Sequence, residues 1–265
     1  MIVIHIAIVS TLLMLRLLLR SRSPRWMAIA LMTLILTSSP LANRVTAAEP
    51  AKPVLPANLR AVNIWKRVLG NTKLSVPWRA NPCDSNAPLL CVSYQGAFVG
   101  TVEMGTYLVE TRADLRQKLL DAGIPAKSDY SDPKFRSRVT AALKAWVEDY
   151  YKAFKQDRTT EYGNKIAFTT QSPTEVTIGK LTGLRYGFSG VKRANEGIHE
   201  QHIGYVAFDG TTLYVITTAF DAASETGKFK VLADLQRFEP QLKQLVAGLQ
   251  LPIAKPLEQS PVRQK

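Results

Sequence analysis

Asp209-Gly210 separates two runs of apolar and aromatic residues, 203–208 and 211–220, and no other feature narrows the fold as much. A two-residue connection follows the twist of its strands when the central residues take positive φ, and Asp-Gly accepts that conformation at both positions. The spacing therefore predicts an antiparallel hairpin. Two further extended stretches lie upstream, 175–180 and 184–191, with Leu181-Thr182-Gly183 as the turn between them, so the C-terminal third reads as a four-stranded meander. A meander buries one face only against another layer, so helices are expected to cover it.

Helical spacing supplies that cover. Leu59, Val62, Trp65, Val68 and Leu69 mark a first helix stopped by Gly70-Asn71. Strands at 90–94 and 98–109 follow, joined at Gln95-Gly96, with Gly100 and Gly105 expected to weaken or bulge the second. Thr111 and Asp114 predict a capped helix running to about 122, ended by Gly123 and Pro125. Asp132 and Pro133 open a longer one, whose stripe is Phe135, Val139, Ala142, Leu143, Trp146, Val147, Tyr150 and Phe154. These aromatics read as core, a membrane-surface or docking stripe being the alternative. Pro240 is expected to open the last helix, with Leu242, Leu245, Val246 and Leu249 on one face and Pro252 beyond its end. The fold class expected is α+β: a central antiparallel sheet flanked by helices, an α/β/α sandwich.

Leu184-Arg185-Tyr186, Phe208-Asp209-Gly210, Leu213-Tyr214-Val215-Ile216 and the final helical face together resemble the PsbP-like family over residues 175–251. The resemblance implies a central antiparallel sheet between helical layers. It also implies an exported accessory protein, either of a photosynthetic membrane or of an envelope. It carries no binding residue with it, because the matching positions are structural. Residues 57–160, notably the long helix from Pro133, depart from the family pattern.

The first 48 residues read as an export signal: Arg16, Arg20, Arg22 and Arg25, an apolar run over 27–36, then Val45-Thr46-Ala47 with cleavage expected near Ala47 or Ala48. An earlier apolar run, 2–19, leaves two alternatives open, a start at Met14 or a retained membrane anchor. No cysteine lies in this segment for lipid attachment. The expected organisation is signal or anchor 1–48, proline-rich linker 49–57, one domain 58–251 and a basic polar tail 252–265. Removing 1–48 takes away five arginines and no acid, leaving 29 bases, 21 acids and a charge of about +8 on 217 residues. That excess suits an anionic membrane surface or an acidic face of a membrane protein complex, and export argues against nucleic acid. The expected location is periplasmic or extracytoplasmic, lumenal if photosynthetic, and membrane-anchored if the signal is retained. Cys83 and Cys91, the only cysteines, are expected to form a disulfide in that oxidising space.

The densest polar cluster is His199-Glu200-Gln201-His202. It lacks the H-E-x-x-H spacing, and on a strand residues 199 and 202 should point to opposite sides, so His199 and His202 are weak metal candidates. Ser189 lies in a predicted strand without a nucleophile elbow, and no phosphate-binding loop is present, so no cofactor is expected. Asp221, Ser224 and Glu225 belong to a polar loop after the last strand, a candidate binding loop. Two functions of different class follow. The first is a non-enzymatic exported accessory or binding protein. The second is an envelope hydrolase with a site assembled from His199, His202, Asp221 and Glu225. A third possibility is a membrane-anchored protein held by residues 2–19.

Overall fold

The computed structural model describes residues 63–84, 87–194, 197–221 and 228–253. Among these, seven antiparallel strands form one sheet: β1 (Trp78–Pro82), β2 (Leu89–Tyr94), β3 (Ala97–Leu108), β4 (Ile166–Ile178), β5 (Leu181–Lys192), β6 (Ile198–Phe208) and β7 (Thr212–Asp221). The spatial order is β1-β2-β3-β7-β6-β5-β4, so two meanders meet where β3 pairs with β7. Helix α1 (Trp65–Val68) precedes the sheet, α2 (Ala113–Asp121) and α3 (Arg136–Tyr162) join β3 to β4, and α4 (Leu232–Ala247) follows β7. The chain adopts the α+β class that its patterning implies.

Strand alternation builds a core on each face of the sheet. On one, Leu184, Tyr186, Phe188, Val206, Phe208 and Leu213 pack against Leu115 and Leu119 of α2 and Leu143, Trp146 and Val147 of α3. On the other, Ile203, Tyr205, Tyr214 and Ile216 meet Trp65 of α1 and Leu235, Phe238 and Leu242 of α4.

The hairpin stands where Asp209-Gly210 predicts one, but its turn is shifted by a residue. Asp209 N donates to Thr212 O, and positive φ occurs only at Gly210 (φ 100°), now the first central position, as a type II′ turn requires. Asp209 Oδ1 accepts from Thr211 N and Thr212 N at 2.8 and 2.7 Å, which holds the turn.

Other expectations shift for physical reasons. The 175–180 strand extends back to Ile166: its middle, Thr169 to Pro173, is polar and Pro173 lies in a register break, a composition that protects an edge strand and hides the alternation. The turn before β5 is Gly179-Lys180, with φ 60° at Gly179, so Leu181, Thr182 and Gly183 belong to β5. Pro240 does not open the final helix but lies inside α4, whose buried stripe already includes Leu235 and Phe238 upstream. Thr111 does not cap α2. Its hydroxyl donates to Leu108 O within a 3-10 turn, while Asp114 accepts from Arg112 and from Trp146 Nε1. Asp132 caps the 3-10 turn Pro133–Phe135 that leads into α3, its Oδ1 accepting from Lys134 N at 3.0 Å, whereas α3 itself begins at Arg136 without a side-chain cap. β1 escapes notice because Trp78-Arg79-Ala80-Asn81-Pro82 offers only one large apolar residue. The bulge expected at Gly100 is present: Val92 pairs with Gly100 and Ser93 with Phe98, so Val99 is the extra residue and β3 bulges beside Gly100, whereas Gly105 pairs with Val215 in regular register. Leu59 and Val62 lie outside the described residues.

Cys83 and Cys91 form the disulfide, Cα atoms 5.1 Å apart, across the mouth of the β1–β2 hairpin. Asn63 ties α1 to the same place, its amide donating to Leu89 O and Cys83 O at 2.7 and 3.3 Å and its Oδ1 accepting from Trp65 N.

Candidate functional site

Helix α3 continues eight residues past Phe154 and ends at Tyr162, with Gly163 at φ 60° as its stop. That extra length carries Arg158, Glu161 and Tyr162 over β6, where sequence patterning had placed nothing. They continue the sheet-facing stripe at i+4, i+7 and i+8 from Phe154, but as charged and phenolic side chains they are not read as part of an apolar one.

Beneath them, β6 carries a β-bulge. Gly190 pairs with Glu200 and Val191 with Ile198, so His199 is the extra residue. The bulge breaks the alternation that should send His199 and His202 to opposite sides. His199 packs edge-on to Tyr162, ring centroids 5.0 Å apart, and His202 packs edge-on to Phe154 at the same separation, so both meet α3. His202 also stacks on Phe188 at 4.2 Å.

Glu200 is the centre of the cluster and is 1% exposed. Its Oε2 accepts from His202 Nε2 at 2.8 Å, and its Oε1 lies 3.3 Å from Arg158 Nε, an ion pair without hydrogen-bond alignment. Arg158 Nη1 in turn donates to Glu161 at 2.7 Å and stacks over Phe154. Asp221 is the direct cross-strand partner of Glu200 and bonds Lys228 at 3.0 Å. Ser224 and Glu225, the rest of the candidate loop, lie outside the described residues.

Burial lowers His202 below its ordinary 6.5, against the pull of Glu200, and so favours the neutral ring. Burial would also depress Arg158, but Glu200 and Glu161 outweigh it and keep the guanidinium charged. Burial and the Glu161 hydrogen bond push Tyr162 up to about 12.

Of the four residues named for a hydrolase, His199 and His202 both meet α3, Asp221 lies across from Glu200 on the face that His202 shares, and Glu225 lies outside the described residues. Ser189, however, pairs with Gln201, one position out of step with Glu200 and His202, and so faces the other side of the sheet. Among the described residues, no group of three or more His, Cys, Asp or Glu side chains is placed to hold a metal ion.

A cavity of about 660 Å³ opens beside the cluster, where the end of α3 meets the start of β4 and the end of β5. Tyr162, His199 and Ile166 form its apolar wall, and Lys165, Lys192 and Arg193 its rim. Arg193 N donates to Lys165 O at 3.0 Å, which fastens the two sides of that rim together.

No family model matches the chain, and no curated protein gives a significant match. Among the described residues, no helix is long and apolar enough to cross a membrane.

Proposed function

We propose that the protein is an exported, non-enzymatic accessory or binding protein of the cell envelope, PsbP-like in its α/β/α sandwich, serving a membrane protein complex or an anionic membrane surface. One observation carries the non-enzymatic part of this reading. The densest titratable cluster is spent on itself, with Glu200 sealed beneath α3 and engaged by both His202 and Arg158. Catalytic groups must reach a substrate, whereas a buried, mutually paired cluster fixes how a helix sits on a sheet. The disulfide supports an oxidising compartment, and the leader-like first 48 residues support export.

The competing hydrolase reading draws on His202 and Asp221 sharing a face with Glu200, and on His199 beside them. It would need α3 to lift away before water or substrate reached them.

The test is the intact mass and assembly size of the protein taken from its own envelope. A chain lacking about residues 1–47, with both cysteines oxidised and migrating with a larger membrane assembly, is the expected result. A full-length, reduced chain in the cytoplasm, or a hydrolytic activity abolished by His202→Gln, contradicts it.

A further inference from the structure

Lys165, Lys192 and Arg193 are all exposed, and none of them is in an ion pair among the described residues. Three unpaired cations at one cavity mouth repel one another, an arrangement that a bound anion relieves. Among the described residues, the opposing charges nearby are smaller or already engaged. The C-terminal end of α3 contributes roughly half a negative charge, and Glu161 is held by Arg158.

Behind the rim the chemistry changes. Tyr162 and His199 meet at an interplanar angle of 80°, forming a corner, and Ile166 closes it at 8% exposure. The cavity volume falls in the range of sites for organic ligands, roughly 300–1,000 Å³, and far exceeds what an inorganic ion fills.

We propose that this cavity binds a phosphate ester, its phosphate held by Lys165, Lys192 and Arg193 and the apolar group beside it packed on Tyr162, His199 and Ile166. The inference deepens the binding-protein reading and rests on it. Two sources share this chemistry, a soluble phosphorylated metabolite and the headgroup region of an anionic lipid.

The test titrates the full chain at low salt with phenyl phosphate, with inorganic phosphate, and with phosphatidylcholine vesicles containing or lacking phosphatidic acid. Phenyl phosphate should bind saturably and about tenfold more tightly than inorganic phosphate, the contribution of burying one ring. Arg193→Gln should weaken it about tenfold by removing a charged donor, and Lys192→Gln should act in the same direction. Arg79→Gln, on β1 at the far edge of the sheet, should leave binding unchanged. Phosphatidic acid vesicles bound with the same dependence on Arg193 make the source a lipid, and phenyl phosphate bound without the vesicles makes it a soluble ester. Absence of saturable binding to both overturns the assignment. So does equal affinity for phenyl and inorganic phosphate, or binding that Arg193→Gln and Arg79→Gln affect alike. If the cavity fails this test while the protein still migrates with a membrane assembly, only the cavity assignment falls.

Discussion

Arg158 Nε and Glu200 Oε1 stand 3.3 Å apart where the last turns of α3 cross β6, and this ion pair joins the helix to the strand at a point where Glu200 has no access to water. Removing one member of a buried pair costs more than the pair contributes, because the remaining charge keeps its desolvation penalty. Arg158 retains Glu161, which softens the loss. Glu200→Gln is therefore expected to destabilise by about 2–4 kcal/mol, measured by urea unfolding, and a variant as stable as the parent would contradict the role given to Glu200.

His202 predicts a pH dependence. Its folded pKa is lowered while the unfolded chain titrates near 6.5, so the unfolded state binds more protons below that value. Stability from the neutral ring is thus fully present above about pH 6.5 and is lost as pH falls toward the depressed folded pKa. Asp114 and Asp149, both held below 3.8, do not titrate in that window. The melting temperature should fall between pH 7 and pH 5, and His202→Gln, which keeps a donor for Glu200, should remove most of that fall. An equal fall in both proteins counts against it.

How far the sequence reveals this fold depends on which residues mark each element. The hairpin, the long helix and the disulfide were legible because Asp209-Gly210, the Phe135-to-Phe154 stripe and the two cysteines are local signals. β1 and the first half of β4 were not, because edge strands gain their order from pairing across the sheet and not from their own apolar alternation. The candidate site was half legible. His202, Glu200 and Asp221 stood out as polar residues, but the bulge that turns His199 toward α3 and the extension that brings Arg158 and Tyr162 onto it are tertiary facts. Lys165, Lys192 and Arg193 gave no signal, since their convergence requires β4 and β5 to be paired.

Tyr186 lies directly across Gly204, and a Cβ on Gly204 would stand 2.3 Å from its ring. Gly204→Ala should cost about 1–3 kcal/mol through overpacking, and Tyr186→Leu in the same chain should recover part of that loss. The Tyr186 hydroxyl is buried with no hydrogen-bond partner among the described residues, so Tyr186→Phe alone should leave stability unchanged or raise it. Thermal unfolding of the three variants decides both points, and a full-sized loss in Tyr186→Phe would show that the hydroxyl has a partner.

The disulfide closes a short loop, its cysteines eight positions apart. Chain entropy at that separation gives about 2.5 kcal/mol. Cys83→Ser with Cys91→Ser should lose about that much or somewhat less, since Asn63 and the Cys83 N to Leu89 O bond also hold the hairpin mouth. Denaturant unfolding of the reduced parent and of the double variant should agree, and a loss confined to one of them would contradict the account.

The central claim is that this chain acts by binding at an envelope membrane. Mild crosslinking in the native envelope, followed by mass spectrometry of the protein and of what is joined to it, tests that claim most directly. The account predicts a trimmed, disulfide-bonded chain joined to subunits of a defined membrane complex or to anionic lipid. Recovery of the chain alone, from envelopes in which known neighbours are efficiently crosslinked, would contradict it.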